Sequence, residues 1–148
     1  MSPAELAAGL PADTGRPDAA LVAYGRADHP RWNRWLGGPG DDAGTGVATG
    51  DDGLVYLVGR TDSDSFVGRR GRGGIDVFVA SFGRHGGRRG VSRFGGSGDD
   101  QASGVAVPRN LLQPAPKVVF VAGSTESPVV NGVVNHGRSD ALIARLSE

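Results

Sequence analysis

The sequence contains no cysteine, which excludes a disulfide framework, a thiolate zinc site and a cysteine nucleophile. It also lacks an excess of either charge. Sixteen Lys and Arg balance sixteen Asp and Glu, so no global field draws the chain toward nucleic acid or an anionic membrane. Any charged partner has to find a local patch. No stretch reaches the roughly 18–20 apolar residues that cross a bilayer. The opening MSPAELAAGLPADTGRPD has no basic region followed by the continuous apolar run of an export signal. As written, the chain reads as soluble, with its compartment left open. Helical periodicity is missing after residue 17, and PAELAAGL before it is long enough for only a marginal turn or two. Residues 1–17 therefore read as a flexible N-terminal segment.

What the chain has in abundance is glycine: 26 of 148 residues, about 18% against a usual level of roughly 7%. There is no collagen period, so the glycines point to many turns. They also recur in register. GGPGDDAGTGVAT at 37–49 aligns with GGSGDDQASGVAV at 95–107, offset by 58, with eight identities in thirteen positions. The same offset lays DAALVAYGR (18–26) over DVFVASFGR (76–84). Downstream the offset becomes 64, with VYLVGRTDS (55–63) over VFVAGSTES (119–127) and DVFVASF (76–82) over DALIARL (140–146). Six residues are thus inserted between Val107 and Val119, in a segment 108–117 that replaces a tight GDDG turn and is expected to protrude.

Each unit reads as four short strands, a to d, rich in Val, Phe, Tyr or Trp and punctuated by Gly, Asp or Pro. Strand a is TGVATG or SGVAV, b is LVYLVGRT or VVFVAGST, c is DVFVASF or DALIARL, and d is RWNRWLGG or GVSRFGG. The predicted fold is all-β, with four-stranded antiparallel units of about 58 residues forming β-propeller blades, about two per chain. The units run 18–75 and 76–139, and a third starts at 140–148. The small GVA of strand a suits the crowded wedge next to a propeller axis.

These residues resemble the SBBP-type β-propeller repeats of bacteria. The first unit matches that pattern at Trp32, Leu36, Gly37, Gly38, Gly40, Asp42, Gly46, Val47, Ala48, Val55, Tyr56, Gly59, Thr61, Asp76, Phe78 and Val79. The second matches at Phe94, Gly95, Gly96, Gly98, Asp100, Gly104, Val105, Ala106, Phe120, Gly123, Thr125, Asp140 and Ala141, but carries Gly90 opposite Trp32. The resemblance covers about residues 18–148 and implies a fold. It implies no single activity and no catalytic residues.

Several constellations invite a chemical reading. GGPGDDAGT resembles a calcium-binding nonapeptide, but that motif works in tandem and needs a large apolar residue where Gly44 and Ala102 stand. The favoured reading of Asp42 and Asp100 is structural, an Asx-type turn between blades. Asp76 and Asp140, like Asp18, precede strand c and are expected to accept backbone hydrogen bonds. No metal and no cofactor are expected. His29, His85 and His136 fall in loops and do not coincide under the repeat. No serine sits in a G-x-S-x-G elbow, so the chain is not expected to be an enzyme.

Seven arginines and one aspartate lie between residues 65 and 98. Strand direction puts Arg69, Arg70 and Arg72 on the face of Asp41, Asp42, Asp99 and Asp100, which predicts local neutralisation rather than a nucleic-acid groove. Trp32 and Trp35, three apart on one strand, cannot share a face. One is expected between blades and the other exposed. These five residues, Trp32, Trp35, Arg69, Arg70 and Arg72, are the candidate binding residues.

The predicted function is a non-catalytic binding or scaffold module whose partner is a protein or a glycan. A lectin-like propeller, and after it a propeller hydrolase or lyase, are the alternatives. With too few strands to close, the chain is expected either to associate into a homo-oligomeric trimer or tetramer ring or to belong to a longer propeller. In the ring, RWNRWLGG of one copy would lie as strand d beside DALIARL of the next.

Overall fold

A computed structural model describes residues 16–71, 73–109 and 118–147. The strands are β1 (Ala19–Tyr24), β2 (Pro30–Leu36), β3 (Asp42–Thr49), β4 (Val55–Thr61), β5 (Ser65–Phe66), β6 (Arg69–Arg70) and β7 (Asp76–Phe82), followed by β8 (Arg88–Phe94), β9 (Asp100–Ala106), β10 (Val118–Thr125), β11 (Val129–Val130), β12 (Val133–Val134) and β13 (Asp140–Ser147). Among the described residues there is no α-helix, and one 3-10 turn, Arg26–Asp28, closes the first hairpin. The predicted all-β class is correct. Residues 1–15 of the N-terminal segment, and 110–117 of the expected protruding loop, lie outside the described residues.

Pairing follows the repeat. The first sheet is β1-β2, the middle sheet β3-β4-β7-β8 and the third β9-β10-β13, all antiparallel, with no ladder among the described residues joining one sheet to the next. The middle sheet is thus a complete a-b-c-d meander, flanked by a c-d pair and an a-b-c trio. β2 is bonded along β1 from Ala19↔Leu36 to Tyr24↔Pro30, so within the chain it serves as strand d of the first unit, with its outer edge unpaired among the described residues. The adjacent hairpin is closed by a short local turn, which costs far less chain entropy than pairing with another molecule.

Two further departures have local causes. Strand a starts at Asp42 and Asp100, earlier than its apolar alternation indicates, because bulges at Gly44/Gly46 and Ala122/Gly123 interrupt the period of two. At these bulges the partner backbone crowds in: a β-carbon at Gly59 or Gly123 would collide with the carbonyl of Ala43 or Gln101. The b–c connections also fold into small hairpins, β5-β6 and β11-β12. Their turns use Val67 and Gly68, and Asn131 and Gly132, all at positive φ, the type I′ pattern.

Alternation along β4 and β7 gives the middle sheet two apolar faces. Leu57, Phe78, Ala80 and Phe82 point one way and meet Ala19, Leu21 and Leu36 of the first sheet. Tyr56, Val58, Val77 and Val79 point the other way and meet Ala102, Val119 and Val121 of the third. Phe66 of the β5-β6 hairpin lies on Phe78 with ring centroids 4.6 Å apart. The three sheets are therefore stacked, and β7 is buried along its whole length. The small strands β3 and β9 run close together. Thr45 Oγ1 donates to the carbonyl of Ala102 at 2.6 Å, and a β-carbon at Gly46 would stand 3.5 Å from Gly104 Cα.

Candidate functional site

The paired-aspartate connectors form the same hydrogen-bonded clamp twice. Asp42 Oδ2 accepts from the Gly38 N–H at 2.8 Å and from Ser63 Oγ at 2.8 Å, while Ser63 Oγ accepts from the Gly40 N–H at 2.9 Å. In the next unit Asp100 Oδ2 accepts from Gly96 at 2.8 Å and from Ser127 Oγ at 2.7 Å, and Ser127 Oγ accepts from Gly98 at 2.9 Å. The serine is itself fixed, since the N–H of Ser63 or Ser127 donates to Thr61 or Thr125 Oγ1 two residues earlier. All four Asp and Ser side chains are buried. Their charge-assisted bonds hold the glycine turn against the b–c connection.

Sequence reasoning passed over Ser63 and Ser127, although T-D-S and T-E-S align under the offset of 64 and were a usable signal. Their hydroxyls are engaged and sealed from solvent, so this Asp–Ser pair shapes a turn rather than presenting a nucleophile. The neighbouring carboxylates serve backbone as well: Asp41 N–H donates to Asp62, and the Ile75 N–H to Asp99 Oδ1. Among the described residues no group of three or more His, Asp or Glu side chains is placed to hold a metal ion. His29, His85 and His136 are exposed.

Asp76 holds a side-chain cation that sequence reasoning did not anticipate. This is Arg93, whose Nε lies 2.8 Å from the Asp76 Oδ2, with both side chains at least 97% buried. Arg93 reaches this position beneath the β5-β6 hairpin, where its Nη1 also donates to the carbonyls of Ser63 at 2.5 Å and Arg69 at 3.2 Å. Asp140, the counterpart of Asp76, accepts from the His136 N–H at 2.9 Å and is half-buried.

The candidate binding residues do not converge. Trp32 stacks on Phe82 at 6.4 Å and donates its indole N–H to the Arg84 carbonyl at 3.1 Å, so it is committed to packing. Trp35 is on the opposite face and exposed, as the three-residue spacing requires. Arg69 and Arg70 are exposed on β6, and Arg72 lies outside the described residues. Ion pairs join Arg16 to Asp41 and Arg109 to Asp51 besides Arg93 to Asp76. Arg69 and Arg70 are in none of these, because Asp42 and Asp100 are buried in their clamps and Asp99 bonds a backbone N–H. The expected neutralisation of Arg69 and Arg70 is thus not found among the described residues. Arg69 does line a cavity of about 350 Å³ between the middle and third sheets, together with Tyr56, Ser81, Arg89, Val119 and Leu146. No described helix is long and apolar enough to cross a membrane.

The chain matches no protein-family model and no curated protein. The likeness to SBBP-type repeats therefore rests on the repeated residues themselves.

Proposed function

We propose that the chain is a non-catalytic binding or scaffold module made of β-propeller blades, completed by association with a second copy of itself. The observation that carries this reading is how the exposed apolar residues are distributed over the sheet stack. On β10 and β13, Phe120 and Ile143 are 40% and 76% exposed, whereas Tyr56 and Val79 at the same repeat positions are 2% and 7% exposed beneath the third sheet. At the other end Val22, Tyr24 and Trp35 are exposed, and the first two correspond to Ala80 and Phe82, which the first sheet covers. One end of the stack thus offers the kind of face that the other end covers. Such a pair of unlike faces makes a heterologous contact, which closes into a ring when the rotation permits.

With β2 kept in its own sheet, each copy supplies three stacked sheets rather than about two blades. Two copies then give about six, within the four to eight that closed propellers use. This revises the trimer or tetramer count to a dimer. Light scattering on the full chain is expected to give a discrete dimer at micromolar concentration. A monomer or an open-ended series would overturn self-completion. A discrete trimer or tetramer would overturn the face-to-face stacking in favour of merged terminal sheets.

A carbohydrate-binding reading has one observation in its favour, the inter-sheet cavity with Tyr56, Arg69 and Arg89 on its walls and a buried Ser81 hydroxyl that has no hydrogen-bond partner among the described residues. A glycan array, repeated with Ser81→Ala, tests it. Absence of any Ser81-dependent signal would dismiss it.

A further inference from the structure

The Arg93 receptor of the middle sheet has a counterpart in the third sheet. By the offset of 64, Ser63, Arg69, Asp76 and Phe78 become Ser127, Val133, Asp140 and Leu142. All four line an open groove of about 290 Å³. In the middle sheet this place is taken by β8, which pairs along β7 with Phe78↔Arg93 and Val77↔Phe94. Among the described residues β13 is the edge strand of the third sheet, bonded to β10 only. Its outer side thus presents a row of unused backbone donors and acceptors.

We infer that this groove is a docking site for an extended peptide segment of a partner protein that carries an arginine. The segment adds antiparallel to β13, with its arginine opposite Leu142 and an apolar residue opposite Ala141. The guanidinium then meets the Asp140 carboxylate and the carbonyls of Ser127 and Val133, as Arg93 meets Asp76, Ser63 and Arg69. In strand addition of this kind the main chain supplies affinity and a side-chain pocket supplies selectivity. An arginine suits the pocket because its planar fork can serve a carboxylate and two carbonyls at once, which an ammonium does less well. β2 of a second copy does not fit this description, because it carries Trp35 where β8 carries Arg93.

The inference rests on the equivalence of the sheets, not on self-association, so the two can fail separately. The chain's own strand is the natural probe. A fluorescein-labelled GGRRGVSRFGGS, residues 86–97, is titrated into the full chain and followed by anisotropy. Saturable binding is expected, with Arg93→Ala in the peptide weakening it by ~10-fold or more and Arg93→Lys by less. Asp140→Asn in the chain should weaken the native peptide while leaving the Arg93→Ala peptide unchanged. Hydrogen exchange should slow in residues 140–147. If Asp140→Asn fails to fold, the peptide series on the unaltered chain decides the matter. Equal affinity of the native and Arg93→Ala peptides, no binding up to millimolar peptide, or protection elsewhere than 140–147 would overturn the inference. None of these outcomes bears on the molar mass, which tests the dimer.

Discussion

Ala27 sits in the left-handed region at φ 55°, and Val67 does so at φ 46°. A residue with a β-carbon pays roughly 1–2 kcal/mol to be there, and asparagine tolerates it better. The two sites nevertheless answer differently to the same substitution. Ala27 is exposed, so Ala27→Asn relieves strain and loses no packing. It should raise stability by about 1 kcal/mol, which thermal unfolding would read as an increase of a few degrees. Val67 is partly buried against the first core cluster. Replacing it by the Asn found at the equivalent position 131 gives up about 1 kcal/mol of apolar burial, so Val67→Asn should be nearly neutral. A loss of stability in Ala27→Asn would show that the turn is held by something other than its backbone preference.

The middle and third sheets differ most where one tight turn has become a long connection. Between β3 and β4 the chain turns through Gly50–Gly53, closed by the Gly50 N–H to the Leu54 carbonyl at 2.9 Å with Gly53 at φ 79°. The flanking strand residues align with Val107 and Val118, so 108–117 stands where four residues suffice. Replacing 108–117 by GDDG should leave the melting temperature nearly unchanged, since loop-closure entropy varies slowly with length. A drop of many degrees in a thermal melt would show that the connection packs into the core. The strands on either side were legible because Val, Phe and Tyr alternate and recur at 58 and 64 residues. The β5-β6 hairpin was not, because SFVGRR carries Val where a type I′ turn usually signals itself with Asn or Asp. VVNGVV at 129–134 does carry that signal, but two-residue strands are too short to show alternation. The clamp was half legible. Asp42 and Asp100 stood out by their glycines, whereas Ser63 and Ser127 acquire their role only when the b–c connection folds back onto the turn. The Asp76–Arg93 pair was not legible, because Arg93 is seventeen residues away on another strand and no local pattern announces the pairing.

For the whole molecule, the distinguishing property of the proposed dimer is that its two contacts are head to tail. A face that pairs with itself and a face that pairs with an unlike face both give dimers, so molar mass alone does not separate them. Charge placed on one face does. Ile143 is 76% exposed and Val22 37% exposed in the single chain, so an aspartate at either position should disturb folding little, as surface changes usually do. It should still block docking, because an unpaired carboxylate would be desolvated at the interface. Ile143→Asp leaves the first-sheet face intact, and Val22→Asp leaves the third-sheet face intact. Alone, each variant has no complete pair of faces and should run as a monomer in light scattering. Mixed, the intact first-sheet face of one can meet the intact third-sheet face of the other. The mixture should recover dimer through that single contact, with weaker affinity than the parent chain, which makes two. If one face instead paired with its own kind, the variant that keeps that face would remain dimeric alone and mixing would restore nothing. That result would remove the head-to-tail ring while leaving the stacked sheets of each chain untouched.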